Sequence, residues 1–466
     1  MPFIRKIAYT KSFSFITGLA LAVSLVRGAN QEHQADVINS IYAEALVHGT
    51  AMDNLTQLVT QYPGRLSGSE NLQGSISWAE TTLQGLKLDR IVQQPVMVPH
   101  WVRGKAEQFS FTTEDIVTAL NGVALGGSSA TPDNGLDAAV IEVSSYVELQ
   151  ALGVKANGKI VFINGGINPT TYLTLEGYSH AVIARTRGPA TAGSLGAVAT
   201  LVRSMTLARD DVPHTGATLF PPGSKRIPAA ALSMVSADRL HDALLKDPNL
   251  KLHIAIHAQT LPDTASANVI AEIKGSEFPN QVIVVGGHLD SWDISPGAHD
   301  DGTGIVQSIE VLRIFKALGI KPRHTLRCVL FVNEENGSAG ANAYAAAARQ
   351  ATERHIFALE TDTGGFDPKG FNLSNTNKDA ASRAQKWMPL LNPHGISFIA
   401  TGGAGADVSP LATLGAVVGE IRPDSQRYFD YHHSIKDTLD HVNARELELG
   451  AAGLASLIWL EDTEGL

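Results

Sequence analysis

Cysteine is almost absent from this sequence, since Cys328 is the single one among 466 residues. A lone cysteine cannot form a disulfide within its own chain, so the fold cannot depend on internal cross-links, even in an oxidising compartment. Cys328 lies within the apolar segment LRCVLFV. We therefore predict a buried thiol that packs as a small hydrophobic side chain, because apolar surroundings raise a thiol's pKa and suppress the nucleophilic thiolate.

Positive charge is also scarce, with 36 Lys and Arg against 46 Asp and Glu and a formal net charge of −10. The sequence has no basic stripe, which argues against a nucleic-acid partner. Charged residues amount to 18% and apolar residues to 44%, a balance that argues against extensive disorder. A chain of this length and composition can bury a large core, and its length predicts two or three domains.

Apolar runs that approach the thickness of a membrane are lacking beyond the N-terminus. There, a basic stretch at residues 5–11 precedes the segment FSFITGLALAVSLV at residues 13–26, and small residues follow at positions 28 and 29. This order predicts a secretory signal peptide at residues 1–29 and an exported chain without a membrane span. An uncleaved signal anchor is the alternative. In an exported chain, the Asn-x-Ser/Thr sequences at Asn54 and Asn372 predict glycosylation.

Three parts of the chain differ in their patterns. Residues 30–119 begin with apolar positions at helical spacing, which predicts helices. Residues 120–265 contain short apolar strands between glycine-rich turns, which predicts an inserted, partly β domain. Residues 266–466 alternate strands with helices. The predicted fold class is α/β, with a mainly parallel sheet and helices on both faces.

Acids and imidazoles follow the predicted strands of this last part. The glycine-rich segment GGHLDSWDISPGAHDDGTG at residues 286–304 follows the apolar run VIVV. Similar positions after later strands hold Asn333-Glu334-Glu335 and Glu360-Thr361-Asp362, and a paired histidine segment, YHHS, lies at 431–434. Because ligands gather at the carboxyl ends of the strands in such sheets, we expect these side chains to converge.

Converging carboxylates require a cation, because they repel one another and lose hydration. Asp300, Glu335 and Asp362 bring three negative charges and a bridging hydroxide brings one more, which two divalent ions would neutralise. Neutral His288 and His433 would complete the ligand set. Oxygen and imidazole ligands without thiolate suit zinc, and manganese or cobalt less specifically, so we predict two Zn²⁺ ions per chain.

Two further acids have predicted catalytic roles. Glu334 neighbours a ligand without being one, so it can take a proton from a metal-activated water and pass it to the leaving amine. Asp290 lies two residues after His288 and cannot easily reach the same ion. We expect it to orient the imidazole or the bridging carboxylate.

The segments GGHLDSWDISPGAHDDGTG, NEENGSAGA, ETDTGG and YHHSIKDT resemble motifs of the co-catalytic zinc exopeptidases, and most of all those of the carboxypeptidase Q branch. The likeness extends over most of the mature chain, and residues 120–265 resemble a protease-associated domain. In such a family this domain interrupts the catalytic domain, which implies that residues 30–119 are its first part and residues 266–466 its second part, with the metal site. The resemblance implies that His288 binds one zinc, that Asp300 bridges both and that Glu335 and Asp362 bind opposite ions. It makes Glu334 the general base.

The same resemblance bears on three further positions. The pattern His-Ser/Thr-x-x-Asp/Glu-Thr selects His433 over His432 as the last ligand. His299 precedes the bridging aspartate, but the family pattern implies no ligand role for it. Asp407 either borders the cleft, as a similar loop does in the family, or caps a turn.

We therefore predict a secreted exopeptidase that hydrolyses dipeptides or short peptides, with an aminopeptidase on the same scaffold as the main competing hypothesis. A receptor-like binding protein and a glutaminyl cyclase are less favoured, because the filled ligand set argues against the first and the NEEN segment against the second. The resemblance is compatible with a homodimer, and both the extracellular space and a lysosome are open destinations.

Overall fold

The computed structural model describes residues 13–374 and 379–466, with side chains from residue 31 onward. The predicted signal peptide lies outside the residues whose side chains are described. The helices are α1 (Phe13–His48), α2 (Ala51–Gln61), α3 (Glu70–Gly85), α4 (Tyr146–Ala151), α5 (Thr174–Ala181), α6 (Ile183–Thr186), α7 (Gly188–Ser194), α8 (Met234–Lys246), α9 (Thr303–Ala317), α10 (Ala339–Gln350), α11 (Ala380–Ala384), α12 (Met388–Leu391), α13 (Tyr428–Tyr431) and α14 (Ala444–Glu464).

The strands form two sheets. They are β1 (Arg90–Val102), β2 (Gln108–Thr113), β3 (Ile116–Ala119), β4 (Gly122–Ala124), β5 (Leu136–Val143), β6 (Ile160–Ile163), β7 (Ala199–Arg203), β8 (Ala229–Leu232), β9 (Lys251–Ala255), β10 (Gln259–Ile273), β11 (Phe278–His288), β12 (His324–Phe331), β13 (Arg354–Glu360), β14 (Pro368–Ser374), β15 (Phe398–Thr401) and β16 (Val417–Pro423).

The first sheet has the order β1-β10-β12-β11-β13-β16-β14-β15. Its centre, β12-β11-β13-β16, is parallel. Antiparallel pairs flank this centre, because β10 runs against both β1 and β12, and β14 runs against β16. The predicted α/β class is confirmed, with the parallel strands in the middle of a mixed sheet.

The position of β11 in the middle of the sheet explains why its sequence is a continuous apolar run without alternation. Val282, Ile283, Val284 and Val285 are all at most 1% exposed. Ile283 and Val285 belong to the core shared with α9 and α14, whereas Val282 and Val284 pack on the opposite face with residues of α10. A strand that is covered on both faces reads as a continuous apolar run. Helices therefore lie on both faces, as predicted.

The second sheet has the order β3-β2-β9-β5-β6-β7-β8-β4. We call residues 103–258, which lie between β1 and β10, the insert. The predicted boundaries of 120 and 265 were misplaced: β2 and β3 pair within the second sheet, whereas β10 already pairs with β1 from Gln259. The local alternation of Phe109 and Phe111 indicates a half-buried strand without specifying its sheet. The likeness of the insert to a protease-associated domain stays a prediction.

The insert leaves and rejoins the first sheet at neighbouring points. Strands β1 and β10 are antiparallel over most of their length, and Val102 lies opposite Gln259 at the end nearest the insert. The two ends of the insert are therefore adjacent in space, as in a very long hairpin connection.

Some predictions concern isolated positions. Cys328 is 0% exposed on β12, and burial raises the pKa of its thiol, which confirms the buried role. Asn54 lies on α2, and Asn372 lies on β14 between two partner strands, where its amide donates to Glu420. Glycosylation at both stays a prediction. None of the helices in the described residues combines the length and apolarity needed to cross a bilayer.

Candidate metal centre

The predicted ligands meet at the carboxyl edge of the parallel strands. His288 ends β11, Glu335 follows β12 and Asp362 follows β13, while Asp300 lies in the loop before α9 and His433 follows α13. His288, Asp300, Glu335 and His433 are all at most 8% exposed, and Asp362 is partly buried. The expected convergence is thus present in the structure.

The ligand atoms form two groups that share one carboxylate. In the first group, His288 Nε2 lies 3.4 Å from Asp300 Oδ1 and 3.4 Å from Asp362 Oδ1. In the second, His433 Nε2 lies 3.2 Å from Asp300 Oδ2 and 3.0 Å from Glu335 Oε2. Each oxygen of Asp300 thus faces a different group, which is the arrangement that a carboxylate bridging two cations requires.

His432 belongs to the second group as well. Its Nε2 lies 3.7 Å from Asp300 Oδ2, and its ring stacks on that of His433 at 3.6 Å between centroids. His433 contacts both acids of the group at shorter distances, which favours it as the ligand. Stacking of the two rings leaves His432 as a neighbour of the same site.

Without cations, burial and mutual repulsion oppose ionisation of the carboxyl groups at the carboxyl edge of the sheet. Burial raises the pKa of Asp362 and, together with the charge of Asp300, raises that of Glu335 well above its ordinary range. Burial also opposes ionisation of Asp300, but hydrogen bonds from His288 and His433 hold the pKa of that carboxyl well below its ordinary value. Cations among these groups would favour the charged form of every one of them.

Unpaired oxygen atoms support the same interpretation. Glu335 Oε1 is buried and has no hydrogen-bond partner among the described residues, and the neighbours of the buried Asp300 Oδ2 are the imidazole nitrogens of His433 and His432, at 3.2 and 3.7 Å. Buried polar atoms are rarely left without a partner, so each needs a ligand. Oxygen and imidazole donors that share a bridging carboxylate fit a pair of divalent transition-metal ions.

Asp437 and Asp301 hold the loop that presents Asp300. The carboxylate of Asp437 accepts hydrogen bonds from the backbone N–H groups of His299 at 2.6 Å and Asp300 at 3.1 Å. Asp301 accepts from the N–H groups of His288 at 2.9 Å and Gly304 at 3.0 Å. A Cβ at Gly304 would lie 2.3 Å from Asp301 Oδ1, so the glycine lets this carboxylate approach the backbone.

Asp290 orients two other segments of the centre. It is 0% exposed, and its carboxylate accepts from the backbone N–H groups of Glu334 at 3.1 Å and Glu335 at 3.2 Å. His288 Nδ1 lies 3.0 Å from the carbonyl oxygen of Asp290, to which it can donate, leaving Nε2 free to face Asp300 and Asp362. Asp290 is therefore a positioning residue, and its backbone rather than its carboxylate orients the imidazole.

The insert holds the histidine segment. His433 has a φ of 60°, a conformation that costs energy for a residue with a side chain and persists only when its surroundings enforce it. Thr215 N–H donates to the carbonyl of His433 at 2.8 Å, and His433 Nδ1 lies 3.3 Å from the carbonyl oxygen of Thr215. His214 Nδ1 lies 2.7 Å from the carbonyl oxygen of His432. The sequence pattern of the insert gave no indication of this role.

His299 and Asp407 have other surroundings. Gly365 N–H donates to His299 Nδ1, and His299 Nε2 lies 3.2 Å from the carbonyl of His441, so both ring nitrogens have protein partners. This agrees with the predicted absence of a ligand role. Asp407 is 1% exposed, and neither carboxylate oxygen has a partner within the described residues, so its side chain does not cap a turn.

Sequence reasoning missed a buried arginine beneath the centre. Arg65 is 0% exposed and donates to the carbonyl oxygens of Leu289, Pro296 and Gly297 at 2.7, 2.6 and 3.0 Å. These contacts fix the loop between His288 and Asp300. Burial lowers the pKa of Arg65 to about 10, against the opposing effect of the neighbouring acids. The only local signal was an arginine within the loop YPGRLSG.

Replacing Arg65 by methionine is expected to lower the free energy of unfolding by about 3 kcal/mol or more. Methionine resembles the arginine stem but removes the three hydrogen bonds that the guanidinium donates to the carbonyl oxygens of this loop. Urea unfolding followed by tryptophan fluorescence measures the change. Arg239→Met is the matched control, because the Arg239 side chain is 49% exposed and its loss should cost less than about 1 kcal/mol. Equal effects would contradict the structural role.

An open cleft of about 490 Å³ lies over the candidate centre. One wall comes from the first sheet and its loops, including Glu334, Thr363, Glu420 and Arg422. The facing wall comes from the insert, which contributes Leu175, Tyr178, Ser179 and Arg185. A cleft of this size is suited to a small molecule or a few residues of peptide.

Comparisons with known proteins agree with this geometry. Residues 268–458, which contain all the candidate ligands, match peptidase family M28. Carboxypeptidase Q of Mus musculus is 34% identical over 424 residues, which cover 91% of this chain and 88% of the relative. The chain belongs to peptidase family M28. The predicted family and enzyme class, a zinc metallo-exopeptidase, are confirmed, and the chain is similar to carboxypeptidase Q over most of its length.

Solved structures extend the similarity to the fold. A peptidase M28 precursor from Shewanella amazonensis is 33% identical, with a TM-score of 0.88 over 94% of this chain and 98% of that one. A zinc aminopeptidase from Bacillus subtilis has a TM-score of 0.63 at 18% identity, over 88% of this chain and 94% of that one. At that identity the similarity concerns the fold alone.

Proposed function

We propose that this chain is an exported exopeptidase that uses two zinc ions to hydrolyse dipeptides or short peptides. The observation that carries the proposal is the pair of ligand groups that share Asp300, one with His288 and Asp362 and the other with His433 and Glu335. His288 and Asp362 would hold one ion, Glu335 and His433 the other, and Asp300 both. When bound, the zinc ions would polarise the scissile carbonyl and lower the pKa of the attacking water.

Glu334 is the proposed general base. It lines the cleft, is partly buried and belongs to neither ligand group. Burial and the nearby carboxylates of Asp362, Asp290 and Asp300 raise the pKa of Glu334 to about 8 in the field of the protein alone, and dications nearby would favour its carboxylate form. Its carboxylate would take a proton from the attacking water and deliver it to the departing amine nitrogen.

The positioning residues give this reaction its geometry. Asp290 holds the backbone of Glu334 and Glu335 through two hydrogen bonds, so the base and one ligand are fixed together. Asp437 holds the backbone of Asp300 from the other side. A preorganised arrangement lowers the entropy that the transition state would otherwise lose.

The proposal extends to export and processing. The predicted signal peptide at residues 1–29 implies secretion, with a lysosome as an alternative destination, and the residues at Asn54 and Asn372 would carry glycans. The similarity of the chain to carboxypeptidase Q makes cleavage at the C-terminal end of the peptide the first candidate. Cleavage at the N-terminal end is the second candidate, because the same fold occurs in the aminopeptidase from Bacillus subtilis. The chain is also proposed to form a homodimer.

A panel of dipeptides with free or blocked ends tests the reaction. We expect hydrolysis that a chelator abolishes and that Zn²⁺ restores, whereas Mg²⁺ and Ca²⁺ do not, because imidazole ligands suit zinc better than these ions. Elemental analysis of the purified chain is expected to find about two zinc ions per chain. Full activity after exhaustive chelation would contradict the proposal, and pyroglutamate formation without peptide cleavage would favour a cyclase.

A further inference from the structure

The wall of the cleft that comes from the insert contains a buried arginine without an acidic partner. Arg185 is 5% exposed. Its Nη2 donates to the hydroxyl of Tyr178 at 2.8 Å, and its Nη1 lies 3.3 Å from both the carbonyl oxygen of Thr215 and Nδ1 of His433. Nε is buried and has no hydrogen-bond partner among the described residues. The hydroxyl and the carbonyl are neutral, and so is His433 when it binds a metal through Nε2, because Nδ1 then carries the single proton and can donate it to the carbonyl oxygen of Thr215.

A buried cation is costly unless an anion compensates its charge. The acids of the metal centre could provide the negative charge that Arg185 needs only if no metal ion neutralised them. Under the proposed function, however, two divalent ions would balance Asp300, Glu335 and Asp362. Glu334 would remain as a carboxylate of the cleft, but it forms no ion pair with Arg185 among the described residues, and it becomes neutral when it takes the proton of the attacking water. An incoming anionic group is therefore the simplest direct partner for the guanidinium.

The guanidinium is held in place by a built environment. Gly216 has a φ of 133°, and a Cβ at this position would lie 2.3 Å from Cζ of Arg185. The residue must therefore be glycine for the backbone to pack against the guanidinium. The ring of Tyr178 lies under the group at 5.6 Å. A side chain that is fixed in this way loses little entropy when it binds a ligand, which is typical of a recognition site.

The position of Arg185 suits a carboxylate next to the scissile bond. In a peptide, the C-terminal carboxylate oxygens lie only about 3 to 4 Å from the amide nitrogen of the same residue, since a single Cα separates them. Arg185 Nη1 lies 3.3 Å from Nδ1 of His433, whose Nε2 faces Asp300 and Glu335. The guanidinium is thus separated from the proposed metal pair by one imidazole ring. A peptide whose scissile bond lies at the metal pair could therefore bring its C-terminal carboxylate to the guanidinium.

We propose that Arg185 binds the free α-carboxylate of the residue that the enzyme releases, which makes peptides with a free C-terminus the preferred substrates. The proposal rests on the proposed peptidase function and specifies the end that is recognised. Arginine suits this task because its planar N–H donors pair with both oxygens of a carboxylate. The insert would then supply substrate recognition, while the first sheet supplies the hydrolytic centre.

Dipeptides and their C-terminal amides test the proposal. The wild-type chain is expected to hydrolyse a dipeptide about 100-fold more efficiently than its amide, and Arg185→Gln is expected to lose this preference, because one partner of a buried charge pair is removed. The variant should lose kcat/KM for the free acid mainly through KM, with activity on the amide within about threefold of wild type. Arg187→Gln is the control, since Arg187 is exposed two residues away.

Metal content and inhibition separate recognition from a structural role. Arg185→Gln should keep the zinc content of the wild type, and a free amino acid should inhibit the wild type better than the corresponding amino amide does. Equal loss on acid and amide, together with lost zinc, would mean that Arg185 only positions His433 and would overturn the proposal. If Arg185→Gln does not fold, equal wild-type activity on acid and amide would overturn it instead. Absence of all peptide hydrolysis would refute the proposed function itself.

Discussion

Glu334→Gln is expected to lower kcat for dipeptide hydrolysis by about 10³-fold or more while the zinc content stays unchanged. Glutamine keeps the shape of the side chain and its place in the cleft but cannot accept the proton of the attacking water. The side chain lies outside both ligand groups, so the metal sites should remain intact. Initial rates at saturating substrate and elemental analysis of the same preparation measure the two quantities together.

The control for this variant is Glu176→Gln. Glu176 is an exposed carboxylate on α5, the helix that also carries Tyr178 of the cleft wall. Its replacement removes the same charge without touching the centre, so we expect unchanged kinetics. If Glu334→Gln lost zinc as well as activity, Glu334 would be a ligand rather than a base.

Asp300→Asn is expected to reduce the zinc content from about two ions per chain to fewer than one and to abolish measurable hydrolysis. Each oxygen of Asp300 faces a different ligand group, at 3.4 Å from His288 Nε2 and 3.2 Å from His433 Nε2, so one substitution affects both sites. Zinc titration of the chelator-treated chain, followed by elemental analysis, measures this effect independently of activity.

Asp440→Asn is the matched control for the bridging residue. The Asp440 side chain is 78% exposed and lies near the histidine segment. The substitution Asp440→Asn therefore removes the same charge at the surface of the protein. We expect the wild-type zinc content from this variant. Full zinc occupancy in Asp300→Asn would rule out the bridge, and thermal unfolding with zinc present checks that the variant is folded.

The positions at the strand ends could be predicted because two local signals coincided there. The apolar run at 282–285 indicates a strand buried on both faces, and the acids and glycines that follow are unsuited to a core. The rule that parallel strands present their carboxyl ends at one edge then brings His288, Glu335 and Asp362 together. These signals involve only neighbouring residues and a known topology, so the sequence contains them.

The supporting residues could not be predicted in the same way. Arg65 and Arg185 contact the centre from distant parts of the chain, and nothing in YPGRLSG or VIARTRG distinguishes a buried arginine from a surface one. Arg185 is buried where the insert meets the histidine segment, and Arg65 is buried against the loop between His288 and Asp300, so the burial of each depends on contacts between distant parts of the chain. The boundary of the insert has the same origin, since a half-buried strand such as β2 does not encode the sheet that it joins.

The hairpin geometry of β1 and β10 has a consequence for the history of such a chain. Because Val102 and Gln259 are paired neighbours, a segment of any length could join them without interrupting the first sheet. Because Thr215 and His214 support the backbone of His433 and His432, however, the insert and the first sheet are not independently exchangeable. A hybrid that combines halves of two relatives would inherit a ligand segment whose supports belong to another protein, so the insert and the first sheet are expected to diverge together.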